Sequence, residues 1–161
     1  PRKNISGLLD SYRAYRLLGG EAELLIVGAS MWTDEMQSER GVHFCGRLER
    51  ARLAQVVGAS QGLVFIPWFE GFGVPIVEAF ASGVPVIASD RTAMPEVCGG
   101  AAAALVEPDD ANGIASWMRK LDADDDFRSE SIGRGLKRAQ DFSWEQSAER
   151  MWQSVSQVLE S

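Results

Sequence analysis

Glu70 and Glu78, with seven residues between them in the run EGFGVPIVE, are the two residues whose types and spacing point to chemistry. Gly71 and Gly73 flank Phe72, so the backbone there is free to take positive φ and let a ligand come close. Pro75 suits the opening of a helix, where its missing N–H is no loss. Ile76, Val77, Ala79, Phe80 and Ala81 continue an apolar helix until Gly83 ends it, as glycine past a helix end commonly does. The first-turn N–H groups of Ile76 and Val77, together with the positive end of the helix dipole, make a place for a diphosphate. Carboxylates repel phosphate, so Glu70 and Glu78 read as acceptors for sugar hydroxyls on either side of it, not as phosphate ligands or a metal pair. Taken singly, these residues would only make a tight turn and complement a dipole, but that reading leaves their joint spacing unexplained.

The elements that must position this loop are legible on both sides. Gly62 to Pro67 is a short apolar run closed by proline, and Val84 to Ala88 is apolar throughout. Both read as buried strands, so the unit is strand, glycine turn, helix, strand, a crossover of a parallel sheet. Leu24 to Val27 and Val42 to Cys45 read as further strands, and Ala103 to Val106 as a last small one. Helices are predicted from Ile5 to Leu18 with Asn4 as cap, from Glu49 to Val57, and from Ala111 to Leu121. Asp124 to Phe142 predicts a helix with Ile132, Leu136 and Ala139 inward, and Ser143 with Gln146 predicts a capping box for a final helix. The stretch Ala29 to Gly41 reads as a connection with room for a short helix. Strands alternating with helices imply an α/β fold, a Rossmann-like open parallel sheet with helices on both faces and a ligand at its carboxyl edge.

EGFGVPIVE, continued by EAFASGVPVIASD and MPEVCGGAAAALVEP, resembles the retaining glycosyltransferases of the two-Rossmann-domain, GT-B architecture (family 4, group 1), whose signature is this Glu-x7-Glu arrangement. A weaker likeness runs from PRKN at the start to DFSWEQSAERM near the end. The resemblance is to the C-terminal, donor-binding domain, and it implies that an N-terminal acceptor domain and a first strand lie ahead of PRKN. It also implies roles. Glu70 would grip the donor sugar's hydroxyls and Glu78 the ribose, with Gly71, Phe72, Gly73, Val74, Ile76 and Val77 forming the nucleotide loop. Lys3, which by local sequence alone is a solvated lysine, would reach the donor diphosphate, with Arg2 a weaker candidate. Gly46 and Arg47 resemble the base-binding position; a surface arginine beside a helix is the equal alternative.

Composition bounds the partners. The chain has 161 residues, 45% of them hydrophobic, and a formal net charge of −7, enough for one domain and contrary to a nucleic-acid partner. Cys45 and Cys98 lack CxxC spacing and the single histidine, His43, has no cysteine or histidine cluster around it, so free thiols and no zinc are expected. No apolar run approaches a membrane span. A cytoplasmic protein is expected, and the resemblance allows contact with the inner membrane face through the preceding domain. Trp68 and Phe69 depart from the small residue usual after the strand proline; they wall the donor-sugar pocket or simply pack, and packing is the expected use. The apolar stripe of the last helix, from Trp144 to Leu159, reads as core packing or as contact with another domain.

The function expected is donor binding in a retaining glycosyltransferase. The resemblance suggests a hexose donor, GDP-mannose first and a UDP-sugar close behind, a glycan or lipid-linked acceptor, and no metal or other cofactor. Alternatives are a noncatalytic nucleotide-sugar-binding module, or a phosphorylase or epimerase of similar architecture.

Overall fold

A computed structural model describes residues 2–29 and 39–159. The element order is α1 (Ile5–Leu17), β1 (Leu24–Val27), β2 (Val42–Gly46), α2 (Arg50–Gly58), β3 (Leu63–Phe65), α3 (Val74–Ala81), β4 (Val86–Ser89), α4 (Met94–Cys98), β5 (Ala104–Val106), α5 (Ala111–Ala123), α6 (Asp125–Ala139) and α7 (Trp144–Leu159). The short helix expected between Ala29 and Gly41 falls outside the described residues.

Every ladder is parallel, as the alternation of strands and helices requires. The ladders form two groups: β1 pairs with β2, and β3, β4 and β5 pair in that order. Among the described residues no strand joins β1 to β3. β4 is central and buried along its whole length, and its pleat divides the interior. Ile87 faces a core shared with Leu9, Tyr12 and Tyr15 of α1 and Ile114 of α5. Val86 and Ala88 face the other side, packing with Ile76, Ala79 and Phe80 of α3 and with Met94 of α4. Two apolar faces covered by helices explain why this strand reads as an unbroken hydrophobic run.

Several local expectations change. Asn4 precedes α1 in the left-handed region (φ 54°, ψ 43°) and makes no side-chain cap. On α6, Ala139 packs against the core as expected and Ile132 is half-buried, but the buried residues are Ser131 and Gly135, and Leu136 turns outward. Gly135 is there because a Cβ would sit 2.6 Å from Cδ1 of Phe80, so only a bare backbone lets α6 lie this close to α3. Ser143 does accept from the N–H of Gln146 at 3.1 Å, but the Gln146 side chain lies toward Gln140 O, so only half of the capping box forms. No residue of α7 is buried, which corrects the core-packing reading of its stripe: Trp144 and Trp152 are exposed.

Candidate functional site

The chain leaves β3 through the buried Ile66 and Pro67 and turns over Trp68 to Phe72 into α3. Gly73 is the residue before the helix, with φ 93° and ψ 42°, and a Cβ on it would lie 2.8 Å from Cε of Met94. Both the angle and the contact demand glycine. Gly71, by contrast, is not at positive φ, so the loop uses one left-handed glycine where the sequence allows two. The tight first turn of α3 also changes which donors are open. The N–H of Ile76 donates to Gly73 O at 2.9 Å, and Ile76 is fully buried, so it offers nothing to a ligand. The N–H groups of Phe72, Gly73 and Val74 have no acceptor among the described residues, and they stand at the positive end of the helix. Glu78 is exposed, one turn further on.

Glu70 is held from two directions. Lys3 donates to its Oε2, and this ammonium, with Arg2 further off, holds the carboxyl below its ordinary range against the opposing effect of partial burial. Thr92 fixes the backbone: its hydroxyl donates to Glu70 O at 3.0 Å and lies 3.3 Å from the Glu70 N–H. Thr92 itself has φ 51°, an uncommon angle for a β-branched residue and a cost kept at a place where geometry is fixed.

Lys3 is placed by its neighbour. The buried side chain of Asn4 donates through Nδ2 to Ile66 O at 3.1 Å and to Pro108 O at 2.7 Å. This pins the start of α1 to the end of β3 and to the segment after β5. Arg2 O accepts from the N–H of Trp68 at 3.0 Å on the same side, and Nζ of Lys3 lies 5.2 Å from the centre of the Phe65 ring.

A cavity of about 1100 Å³ runs between β1 and β3, and at the carboxyl ends of the strands it is lined by Lys3, Gly28, Arg47, Pro75 and Glu78. The expected residues Lys3, Arg47 and Glu78 therefore share one cavity end, with Glu70 joined to it through Lys3. Gly46 ends β2 at φ 64° beneath the exposed Arg47. Phe72 turns away and meets Phe142 edge-on at 5.9 Å. Trp68 and Phe69 are 43% and 58% exposed, which overturns the expectation that both pack. No group of three or more His, Cys, Asp or Glu gathers among the described residues, and no helix among them is long and apolar enough to cross a membrane. Sequence reasoning missed Asn4 and Thr92 as positioning residues; nothing local marks either one, because their partners lie 62, 104 and 22 residues away.

Residues 1–124 match the family model described as glycosyl transferases group 1. The chain belongs to this family. O-antigen chain mannosyltransferase B of Escherichia coli is 36% identical over 157 residues, covering 90% of this chain and 40% of that protein. Phosphatidyl-myo-inositol mannosyltransferase of Mycolicibacterium smegmatis is 32% identical over 152 residues, covering 89% of this chain and 39% of that protein. The chain thus spans about two fifths of the length of these group 1 relatives. Among solved structures, sucrose-phosphate synthase of Thermosynechococcus elongatus superposes with a TM-score of 0.80 at 27% identity, over 98% of this chain and 43% of that one. An Anabaena protein solved with UDP and glucose superposes with a TM-score of 0.80 at 20% identity, over 97% of this chain and 45% of that one, a likeness of fold. The fold of this group 1 chain is that of the C-terminal domain of GT-B glycosyltransferases.

Proposed function

We propose that this chain is the donor-binding half of a retaining glycosyltransferase that moves a hexose, mannose from GDP-mannose in first place, to a glycan or lipid-linked acceptor. The observation that carries the reading is the meeting of Lys3, Arg47 and Glu78 at one end of the cavity between β1 and β3. In an open parallel sheet the carboxyl ends of the strands are where ligands bind. The mannosyltransferase names of the relatives favour mannose.

In this reading Glu78 accepts from the ribose, Arg47 stacks on the base, and the diphosphate lies over the N–H groups of Phe72, Gly73 and Val74. Lys3 is held by Glu70 in the free chain. Such a partly exposed pair is worth only about 0.2–1 kcal/mol, so a diphosphate can draw the ammonium away and leave Glu70 open to the donor sugar's hydroxyls. When an acceptor hydroxyl attacks the anomeric carbon, the bond to the diphosphate oxygen breaks, its electron pair stays on that oxygen, and the hydroxyl proton passes to an oxygen of the departing diphosphate. Lys3 and the loop N–H groups stabilise this charge. The acceptor would come from a preceding domain, so the chain alone binds donor without turning it over.

Calorimetry with GDP, UDP, ADP and dTDP tests this, with GDP expected to bind best and EDTA expected to have no effect. A charge-assisted hydrogen bond contributes about 1.5–3 kcal/mol, so Glu78→Gln should weaken bare GDP roughly tenfold or more. Glu70→Gln should spare bare GDP and remove the added affinity for GDP-mannose. Absence of binding by all four nucleotides, or equal loss of bare GDP in both variants, would refute the assignment.

A further inference from the structure

We propose that Arg138 and Phe142, at the end of α6 and just beyond it, are positioning residues for the nucleotide loop: together they hold Phe72 to Val74 in the shape that presents their N–H groups to a diphosphate. The ligand is taken from the donor-site reading, whereas the hold on the loop is a matter of packing alone. The loop needs such a hold. Its three N–H groups have no acceptor among the described residues, and Phe72 and Val74 are exposed. A loop left open on its ligand side is fixed from the other side or not at all. Two side chains reach it from there. Met94 of α4 is fully buried and lies under Gly73, where a Cβ would come within 2.8 Å of its Cε. Phe142 meets the Phe72 ring with centroids 5.9 Å apart and planes at 90°, a favoured arrangement for an aromatic pair.

The two supports belong to different elements, and Arg138 ties them together. Its Nε donates to Val97 O at 3.0 Å and its Nη2 to Glu96 O at 2.7 Å. Both are among the last carbonyls of α4, which a helix leaves without donors of its own. Nη1 donates to Asp141 Oδ2 at 2.8 Å, and the guanidinium carbon lies 4.8 Å from the centre of the Phe142 ring, within reach of a cation–π contact. One planar, charged fork thus fixes both the helix that carries Met94 and the ring that supports Phe72. The backbone makes room for it: Gly99 has φ 54°, and a Cβ there would lie 2.7 Å from Arg138 Nε, so both the angle and the arginine demand glycine. Phe142 is held in turn by its N–H, which donates to Ala139 O at 3.1 Å, and by packing against the core around Ile76, Phe80 and Met94. Arg138 acting only as a cap on α4 would leave the loop unaffected; the ring contact between Phe142 and Phe72 is what carries its effect to the ligand side.

The test compares the parent chain with Phe142→Leu, Phe142→Tyr, Arg138→Gln and, as a control, Trp144→Ala at an exposed position. Without ligand, amide exchange is read at Ile76, whose N–H donates to Gly73 O and so reports closure of the loop, against the amides of β4, which report global opening. Phe142→Leu and Arg138→Gln should speed Ile76 by at least about tenfold relative to β4, with Phe142→Tyr and Trp144→Ala close to the parent. In calorimetry Phe142→Leu should weaken GDP roughly tenfold, the equivalent of about one phosphate hydrogen bond. GMP, with one phosphate fewer, should lose less than about a third of that factor, and Phe142→Tyr should restore GDP. A mere loss of folded protein would weaken both nucleotides alike. Ile76 exchange that keeps pace with β4 in Phe142→Leu, or equal losses of GDP and GMP, would overturn the proposal. A parent that binds no nucleotide would instead refute the donor-site reading, and the exchange measurement would still decide the hold on the loop. If Arg138→Gln does not fold, the contrast between Phe142→Leu and Phe142→Tyr decides it.

Discussion

Replacing Asn4 tests how Lys3 is placed. Asn4 is 4% exposed, and its Nδ2 serves Ile66 O and Pro108 O, both on buried residues. Two carbonyl acceptors fix the orientation of the amide, since only its nitrogen can donate. Asn4→Ala strips both carbonyls of a donor, and each buried group left unsatisfied costs about 1–3 kcal/mol, so the expected loss is roughly 2–6 kcal/mol. Alanine also has to hold φ 54°, where an ordinary L-residue is penalised by about 1–2 kcal/mol. Asn4→Gly loses the same hydrogen bonds without that penalty, so it should be less destabilising than Asn4→Ala by about that amount. Asn4→Asp keeps the shape but turns two acceptors toward two carbonyls, and should be no better than Asn4→Ala. Urea unfolding of the four proteins, compared at constant m, gives these differences directly. A loss below about 1 kcal/mol for Asn4→Ala, or an Asn4→Asp variant as stable as the parent, would refute the account of Asn4 as the clamp between α1, β3 and Pro108.

The Lys3–Glu70 pair predicts a pH signature. Because Lys3 lowers the Glu70 carboxyl in the folded state, its contribution is complete above the unfolded value of about 4.3 and is lost as pH falls through the folded one. Glu70→Gln should cost about 0.2–1 kcal/mol near neutrality and nothing in strong acid, read by urea unfolding at both ends. Two glycines of α6 should respond oppositely to alanine. Gly135→Ala drives a Cβ to 2.6 Å from buried Phe80 and should destabilise by about 1–3 kcal/mol. At exposed Gly133 nothing lies within 4 Å of a Cβ, so Gly133→Ala should stabilise by up to about 1 kcal/mol; thermal melts of both check the pair.

What the sequence determined by itself is what depends on neighbours along the chain. The apolar runs Gly62 to Pro67 and Val84 to Ala88 hold the parallel strands β3 and β4, and Pro75 and Gly83 bound a helix within a residue or two of its expected ends. These follow from periodicity and from φ restrictions, which are local. The glycine at position 73 was likewise readable as a turn that needs positive φ. Tertiary structure decided the rest. Ile76 is a poor donor because the first turn of α3 closes on Gly73, a choice between equivalent local bonds that the sequence leaves open. Asn4 had the residue type of a helix cap, yet carbonyls contributed by β3 and by the segment after β5 bind its amide more fully than the helix end would. Leu136 had the spacing of an inward residue, but close approach of α6 to Phe80 turns the glycine face inward instead. The pairing of Lys3 with Glu70 across 67 residues arises only when α1 is pinned beside β3, because long-range contacts depend on which elements share an edge, and periodicity carries no record of that.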